Sequence, residues 1–234
     1  KAIVIDAKDK FAEKYIAKGI KANASYQGEY HLSTPIGRPL LAKIAVEVAE
    51  QEGAEAIAHG CTGKGNDQVR IEGSIITLAP DMKVIAPVRE WAMGREEELA
   101  YAKKHGIPVK QTADFPYSYD DNMWGVTGEG GEIEDPKEIP HYQDIVDAIT
   151  LPEDAPNQAE VVEVLFEKGV PIALNGVPMK LSQLIMALNE IGGKHGVGIV
   201  TLIEDRLVGL KVRGVYWGAA AHILVEAHKN IEKV

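Results

Sequence analysis

Ala58-His59-Gly60-Cys61-Thr62-Gly63-Lys64-Gly65-Asn66-Asp67-Gln68-Val69-Arg70 is the stretch on which the reading of this chain turns. It follows a short apolar run, Ala54 to Ala58, and precedes residues that read as helix, so it occupies a strand-to-helix junction. Glycines there let the backbone approach a ligand closely, and the free N–H groups of a helix start favour an anion. It is not a P-loop, because Lys64 is followed by Gly65 rather than Ser or Thr, and it is not the dinucleotide fingerprint. Spacing alone leaves two readings open: a glycine-rich turn closing a buried strand, or a ligand loop. A turn needs only the glycines, whereas Thr62, Lys64, Asn66, Asp67 and Arg70 add a hydroxyl, an amide, a carboxylate and two cations. That mixture suggests recognition of a zwitterion.

Outward from this loop, residues 1 to about 112 alternate apolar runs with amphipathic stretches, the pattern of a parallel α/β arrangement. Strands are expected at Ala2–Asp6, Ala54–Ala58, Lys83–Pro87 and Ile107–Val109. Thr34-Pro35 reads as an N-cap and first helical residue, followed by a stripe of Leu41, Ile44, Ala45 and Val48 ended by Gly53. A second helix is expected from Gly94 to His105, stopping at Gly106. Beyond residue 112 the rhythm changes through a polar stretch, Gln111 to Glu138, to alternating strands at Val161–Phe166 and Val170–Leu174. Their turns are Lys168-Gly169 and Asn175-Gly176. Leu181–Ile191 reads as helix, Ile199–Tyr216 as an antiparallel pair turning at Glu204-Asp205, and Ala219–Lys229 as a closing helix. An α/β half, residues 1–113, is therefore expected to precede an α+β half, residues 114–234.

Composition bounds the chemistry. The 234 residues are 45% hydrophobic and 26% charged, which suits a globular chain with a real core and excludes a disordered or collagen-like one. No apolar run reaches a membrane span, so no membrane partner is expected, and with no signal-like start an intracellular, cytoplasmic chain is. Cys61 is the single cysteine, which excludes an internal disulfide, and it has no partner at zinc-ligand spacing. The net charge of −10 opposes nucleic-acid binding and requires any anionic ligand to be held by local donors. The chain opens inside an expected strand, which reads as a piece of something longer.

Two further groups carry polar chemistry. Tyr26 to Arg38 places tyrosines, Ser33, Thr34 and an arginine around a helix start, where Arg38 can grip a carboxylate or phosphate, or can be a solvated residue beside a capping Thr. Pro116-Tyr117-Ser118, Thr127-Gly128-Glu129-Gly130, Glu204-Asp205-Arg206 and Gly214-Val215-Tyr216 are scattered, and spacing does not bring them together. His59 and His195 stand beside glycines without forming a nucleophile pair, and Cys61 reads as a small buried residue.

These residues resemble one family. A-H-G-C-T-G-K-G-N-D-Q-V-R, with P-Y-S-x-D-x-N, E-I-E-D-P, N-E-I-G-G-K-H-G-V-G and E-D-R-L-V-G-L-K-V-R-G-V-Y, closely resembles argininosuccinate synthase nearly end to end. The resemblance implies the latter part of a parallel-sheet domain of the adenine nucleotide alpha hydrolase type, the N-type ATP pyrophosphatases, followed by an α+β synthetase domain. It implies a cytosolic ligase, a homotetramer at full length, that joins citrulline to aspartate while ATP, taken with Mg2+, is cleaved to AMP and pyrophosphate. By position it implies ATP contacts at Gly60 and Arg38 and aspartate contacts at Thr62, Asn66 and Asp67. Citrulline contacts fall at Tyr30, Thr34, Asn66, Arg70, Ser118, Thr127, Glu129, Glu204 and Tyr216. No residue is implied as a catalytic nucleophile and none as a resident metal ligand.

The chain also departs from the family pattern. Pro35 stands for a usual Ser, Thr127 for Ser, Asp205 for Asn, Val212 for Ser, and Trp217-Gly218-Ala219 for an E-T-P-like segment. Thr127 keeps the hydroxyl, whereas Pro35 removes a hydroxyl and an N–H. The pyrophosphate loop S-G-G-x-D-T-S occurs nowhere in these residues, and the family's C-terminal segment is missing too, so a fragment is expected, inactive as a ligase by itself. Two rival readings remain at this level: a non-catalytic homologue that binds an amino acid or nucleotide, and a relative of GMP synthetase.

Overall fold

The structure, a computed structural model, describes residues 1–91, 95–109 and 117–234. The helices are α1 (Lys8–Phe11), α2 (Ala17–Lys21), α3 (Ser33–Glu52), α4 (Asp67–Leu78), α5 (Pro87–Trp91), α6 (Arg95–His105), α7 (Tyr142–Ile145), α8 (Leu181–Lys194) and α9 (Ala219–Ile231). The strands are β1 (Ala56–Ala58), β2 (Lys83–Ile85), β3 (Ser118–Asn122), β4 (Gly125–Glu129), β5 (Val164–Glu167), β6 (Val170–Leu174), β7 (Val177–Pro178), β8 (Ile199–Asp205) and β9 (Lys211–Trp217). They fall into two compact units. The first holds residues 1–37, 118–203 and 213–234, and the second holds residues 38–117 and 204–212.

In the second unit β1 and β2 pair in parallel, Ala56 opposite Lys83 and Ala58 opposite Ile85, with α4 as the crossover that parallel strands require. Ala42 and Val46 of α3 pack on Ile71 and Ile75 of α4, with Ile57, Val84, Met82 and Cys61 around them. The buried apolar residues of α3 are Leu40, Ala42, Val46 and Ala49; Leu41, of the expected stripe, is 53% exposed. Gly53, at φ 65°, ends α3 as expected, with the Ala54 N–H reaching the Ala49 carbonyl at 2.8 Å. Gly106 ends α6 the same way. Gly94, the expected start of α6, lies outside the described residues.

The first unit is built on the antiparallel sheet β3-β4-β9-β8 and the smaller sheet β5-β6-β7. Leu181, Leu184, Ile185 and Leu188 form the buried stripe of α8, and Ala221, Leu224, Val225 and His228 that of α9. A Cβ on Gly192 would lie 2.8 Å from that of Ala219, so the approach of α8 to α9 needs a glycine there. Lys168-Gly169 and Asn175-Gly176 both take positive φ at both residues, as expected of tight hairpin turns.

Four expectations are corrected. Ala2–Asp6 forms no strand: Val4 is 95% exposed, and a strand exists only where a neighbour accepts its hydrogen bonds. Ile107–Val109 is likewise outside any strand. The β8–β9 turn lies at Arg206–Leu210, where Gly209 supplies φ 86°, and Glu204-Asp205 stay in β8. Thr34 lies in the first turn of α3, after Ser33, and is not its cap. Several elements were not anticipated: β3 and β4 lie in the stretch read as polar, and α1 and α2 are joined by a π-helical stretch, Ala12–Ile16. Its buried residues, Ala12 and Ile16, are four apart and continue to Ile20 in α2, so the segment buries one face with ordinary helical spacing.

Candidate functional site

The second unit gathers the charged residues. Asp67, the first residue of α4, accepts from Arg38 Nε at 2.7 Å through one oxygen and from Arg70 Nη1 at 2.9 Å through the other. Arg70 lies one helical turn beyond Asp67 and also stands 3.6 Å from Glu204 Oε1. The same Glu204 oxygen accepts from Asn66 Nδ2 at 2.8 Å, while Asn66 Oδ1 accepts the Leu207 N–H at 2.8 Å. Arg38, Asp67, Arg70 and Glu204 therefore form a row of alternating charge, each side chain roughly a fifth to a quarter exposed. Both oxygens of Asp67 and both ends of Asn66 are occupied, so charges that would repel singly are balanced as a group. A zwitterion can exchange its own carboxylate and ammonium for members of this row.

The loop in front of α4 is exposed at Gly60 and Thr62. A Cβ on Gly60 would meet nothing within 4 Å, so the glycine leaves open space. The Thr62 carbonyl accepts the Gly65 N–H at 3.4 Å, closing a turn. Behind the loop stand Gln68, Glu72 and Arg89. Gln68 was passed over within the quoted stretch, and helical spacing from Gln68 to Glu72 is the signal that could have drawn attention to that face.

The first unit gathers the hydroxyls. Tyr30 Oη lies 3.1 Å from Ser33 Oγ and 3.2 Å from Thr127 Oγ1, and it accepts the Thr34 N–H at 3.1 Å. Thr34 Oγ1 and Thr127 Oγ1 are 3.0 Å apart. All four side chains are buried. The Tyr30 ring stacks on Tyr216 with centroids 4.0 Å apart, within a core that includes Leu202. Asn122 Nδ2 donates to the Ser33 carbonyl and Trp124 Nε1 to the His31 carbonyl, which ties the start of α3 to the β3–β4 hairpin.

Strand register brings together what spacing could not. Ser118 faces Glu129 across β3 and β4, Asp120 faces Thr127, and Thr127 faces Tyr216 across β4 and β9. Directly opposed residues share a face, and so do residues two apart. Ser118, Thr127, Glu129 and Tyr216 therefore lie on one face of the sheet, with Asp120, the aspartate of the P-Y-S-x-D-x-N motif but not an expected contact, among them. Pro116 of the P-Y-S motif lies outside the described residues. Glu204, expected among the citrulline contacts, joins the charged row of the second unit.

Among the described residues, His31 has a strongly displaced ionisation. Burial pushes its pKa down to about 4, with His222 and Lys229 adding to the effect. Neither ring nitrogen of His31 has a hydrogen-bond partner among the described residues.

Comparison with known proteins identifies the family. The model of the arginosuccinate synthase N-terminal HUP domain matches residues 1–108, and that of the arginosuccinate synthase C-terminal domain matches residues 117–234. The argininosuccinate synthase of Oceanobacillus iheyensis is 51% identical over 233 residues, covering 99% of this chain and 55% of that protein. Those of Listeria welshimeri and Geobacillus thermodenitrificans are 54% and 53% identical, over 97% and 99% of this chain and 56% and 57% of their own lengths. The chain thus spans about half the length of the curated relatives it matches. A HUP domain and a further mixed domain, matched end to end by relatives of one kind, mean that the chain belongs to the argininosuccinate synthase family.

Proposed function

We propose that these residues are part of an ATP-dependent ligase that condenses citrulline with aspartate. The ureido oxygen of citrulline attacks the α-phosphorus of ATP, taken as its Mg2+ complex, and the α–β phosphoanhydride bond breaks to release pyrophosphate while the adenylyl group stays on citrulline. The citrullyl-AMP formed is then attacked by the aspartate amine, which displaces AMP and gives argininosuccinate, a step of arginine biosynthesis. The observation that carries this reading is the row Arg38, Asp67, Arg70 and Glu204 beside a glycine-rich strand-to-helix loop. It is rich in donors and has no side-chain nucleophile paired with a base. Such chemistry depends on alignment and on stabilising developing charge, and alignment alone can contribute about 7–11 kcal/mol.

In this reading Gly60 and Arg38 contact ATP, with Arg38 facing phosphate, and Thr62, Asn66 and Asp67 orient aspartate. Arg70 and Glu204 hold the charged ends of citrulline, with Asn66 shared. The hydroxyls and sheet face of the first unit, Tyr30, Thr34, Ser118, Thr127, Glu129 and Tyr216, are proposed in their own right as citrulline contacts. The domain limits 1–113 and 114–234, a homotetramer and a cytoplasmic location complete the proposal. Among the described residues no helix is long and apolar enough to cross a membrane.

The test is Arg70→Ala in the full-length protein. Losing a charged hydrogen-bond donor, worth about 1.5–3 kcal/mol, should raise the citrulline KM about 10- to 100-fold. An unchanged citrulline KM would remove Arg70 from the site.

A further inference from the structure

Four side chains outside the proposed substrate contacts form one continuous relay behind the glycine-rich loop. His59 Nε2 and Arg89 Nη2 both reach Glu72 Oε1, at 2.9 and 2.8 Å. Arg89 Nη1 donates to Gln68 Oε1 at 2.8 Å. Gln68 Nε2 in turn donates to the carbonyl oxygens of Gly63 at 2.8 Å and Gly65 at 3.2 Å. The loop's first turn is tied to the same relay, because the Cys61 N–H donates to His59 Nδ1 at 3.2 Å. Gln68 is 6% exposed, and the side chains of His59 and Glu72 are 8% and 19% exposed, so water competes little at these three, whereas the Arg89 side chain is 36% exposed.

Each member fixes the next by its donor and acceptor inventory. The Cys61 N–H needs a lone pair on His59 Nδ1, so the ring carries its proton on Nε2 and gives it to Glu72. Glu72 holds the Arg89 guanidinium, which has only donors and must therefore meet the oxygen of the Gln68 amide. The amide nitrogen is left facing the two glycine carbonyls. In a trans peptide the carbonyl and the following N–H point in opposite directions. With the Gly63 and Gly65 carbonyls turned to Gln68, the N–H groups of Lys64 and Asn66 are aimed away from it. Among the described residues neither donates to a backbone carbonyl.

We propose that Gln68, Arg89, Glu72 and His59 are positioning residues that set the peptide orientation of the glycine-rich loop, so that the Lys64 and Asn66 amides face a carboxylate of the aspartate substrate. The proposal rests on the reading of this loop as an aspartate-binding segment. It adds a source of order that glycines by themselves lack, since three glycines in seven residues would otherwise sample many peptide orientations.

The decisive variant is Gln68→Glu, which keeps size and the partner of Arg89 but removes the donor to both carbonyls. In the full-length protein the aspartate KM should rise about tenfold, the effect of losing two modest hydrogen bonds, while the citrulline KM moves less than about twofold. Amide hydrogen exchange should quicken over residues 59–66 and stay unchanged in the last two turns of α4. Arg89→Lys, which reaches one partner but not both, should move both readouts in the same direction by less. An unaltered aspartate KM overturns the proposal, whether exchange quickens or not, as does a KM change without faster exchange. If the unsubstituted full-length protein forms no product from citrulline, aspartate and ATP, the functional reading falls. The exchange measurement then decides alone: a loosened loop upholds the positioning role and an unaltered one ends it.

Discussion

Asp67 stands between two guanidinium groups, so a ligand that displaces it must bring an anionic group of its own. That is a stricter condition than a free cationic patch imposes, because a neutral analogue would leave Arg38 and Arg70 facing each other. Asp67, Asn66 and Arg70 were legible in the sequence, since they crowd one loop and helix start. Their alliance with Glu204 was not, because more than a hundred residues separate them and only the folded chain closes the gap. His31 gives a residue-level prediction. Its pKa of about 4 lies below the ordinary 6.5, so between those values the unfolded chain binds the extra proton. Stability from this group is complete above about pH 6.5 and falls as the pH drops toward 4, by on the order of 3 kcal/mol in all. Urea unfolding at pH 7 and pH 4.5 should show that loss, and His31→Leu should shrink the part of the difference that is specific to this site.

At the scale of elements, α8 and α9 were legible because their apolar residues recur every three or four positions and their neighbours are polar. The π-helical stretch was not, because its buried residues Ala12 and Ile16, like Ile20 after them, keep ordinary helical spacing and carry no signal of a wider turn. Ala2–Asp6 misled for a different reason: an apolar run records a tendency to pair, and pairing needs a partner that the run itself does not name. The α8–α9 crossing supplies an element-level prediction. Gly192→Ala would gain up to about 1 kcal/mol of helix propensity. It would also place a methyl 2.8 Å from Ala219 Cβ and 2.9 Å from Ile223 Cδ1. Overpacking of that kind costs about 1–3 kcal/mol, so the clash outweighs the propensity and the urea midpoint should fall. A rise in the midpoint would mean that the helices separate freely.

At the scale of the whole molecule, the 234 residues contain no S-G-G-x-D-T-S loop, the anion nest that the proposed reaction needs for pyrophosphate. Assayed alone, they should form no AMP in a citrulline-dependent manner; measurable turnover would show that another segment holds the leaving group. The two compact units have a consequence for synthesis. Residues 1–37 belong with partners that begin at residue 118, and the intervening stretch of about 80 residues builds a different unit. At about 5–20 residues per second, a ribosome needs roughly 4–16 s to deliver those partners. Phe11, Ile16 and Ile20, buried in the finished protein, wait longer still, because the elements that meet their segment are β6, α8 and α9, which begin at residue 170. The order of translation therefore makes the α1–α2 segment a natural client for chaperones, and slowing elongation between residues 38 and 117 should lower the yield of folded protein.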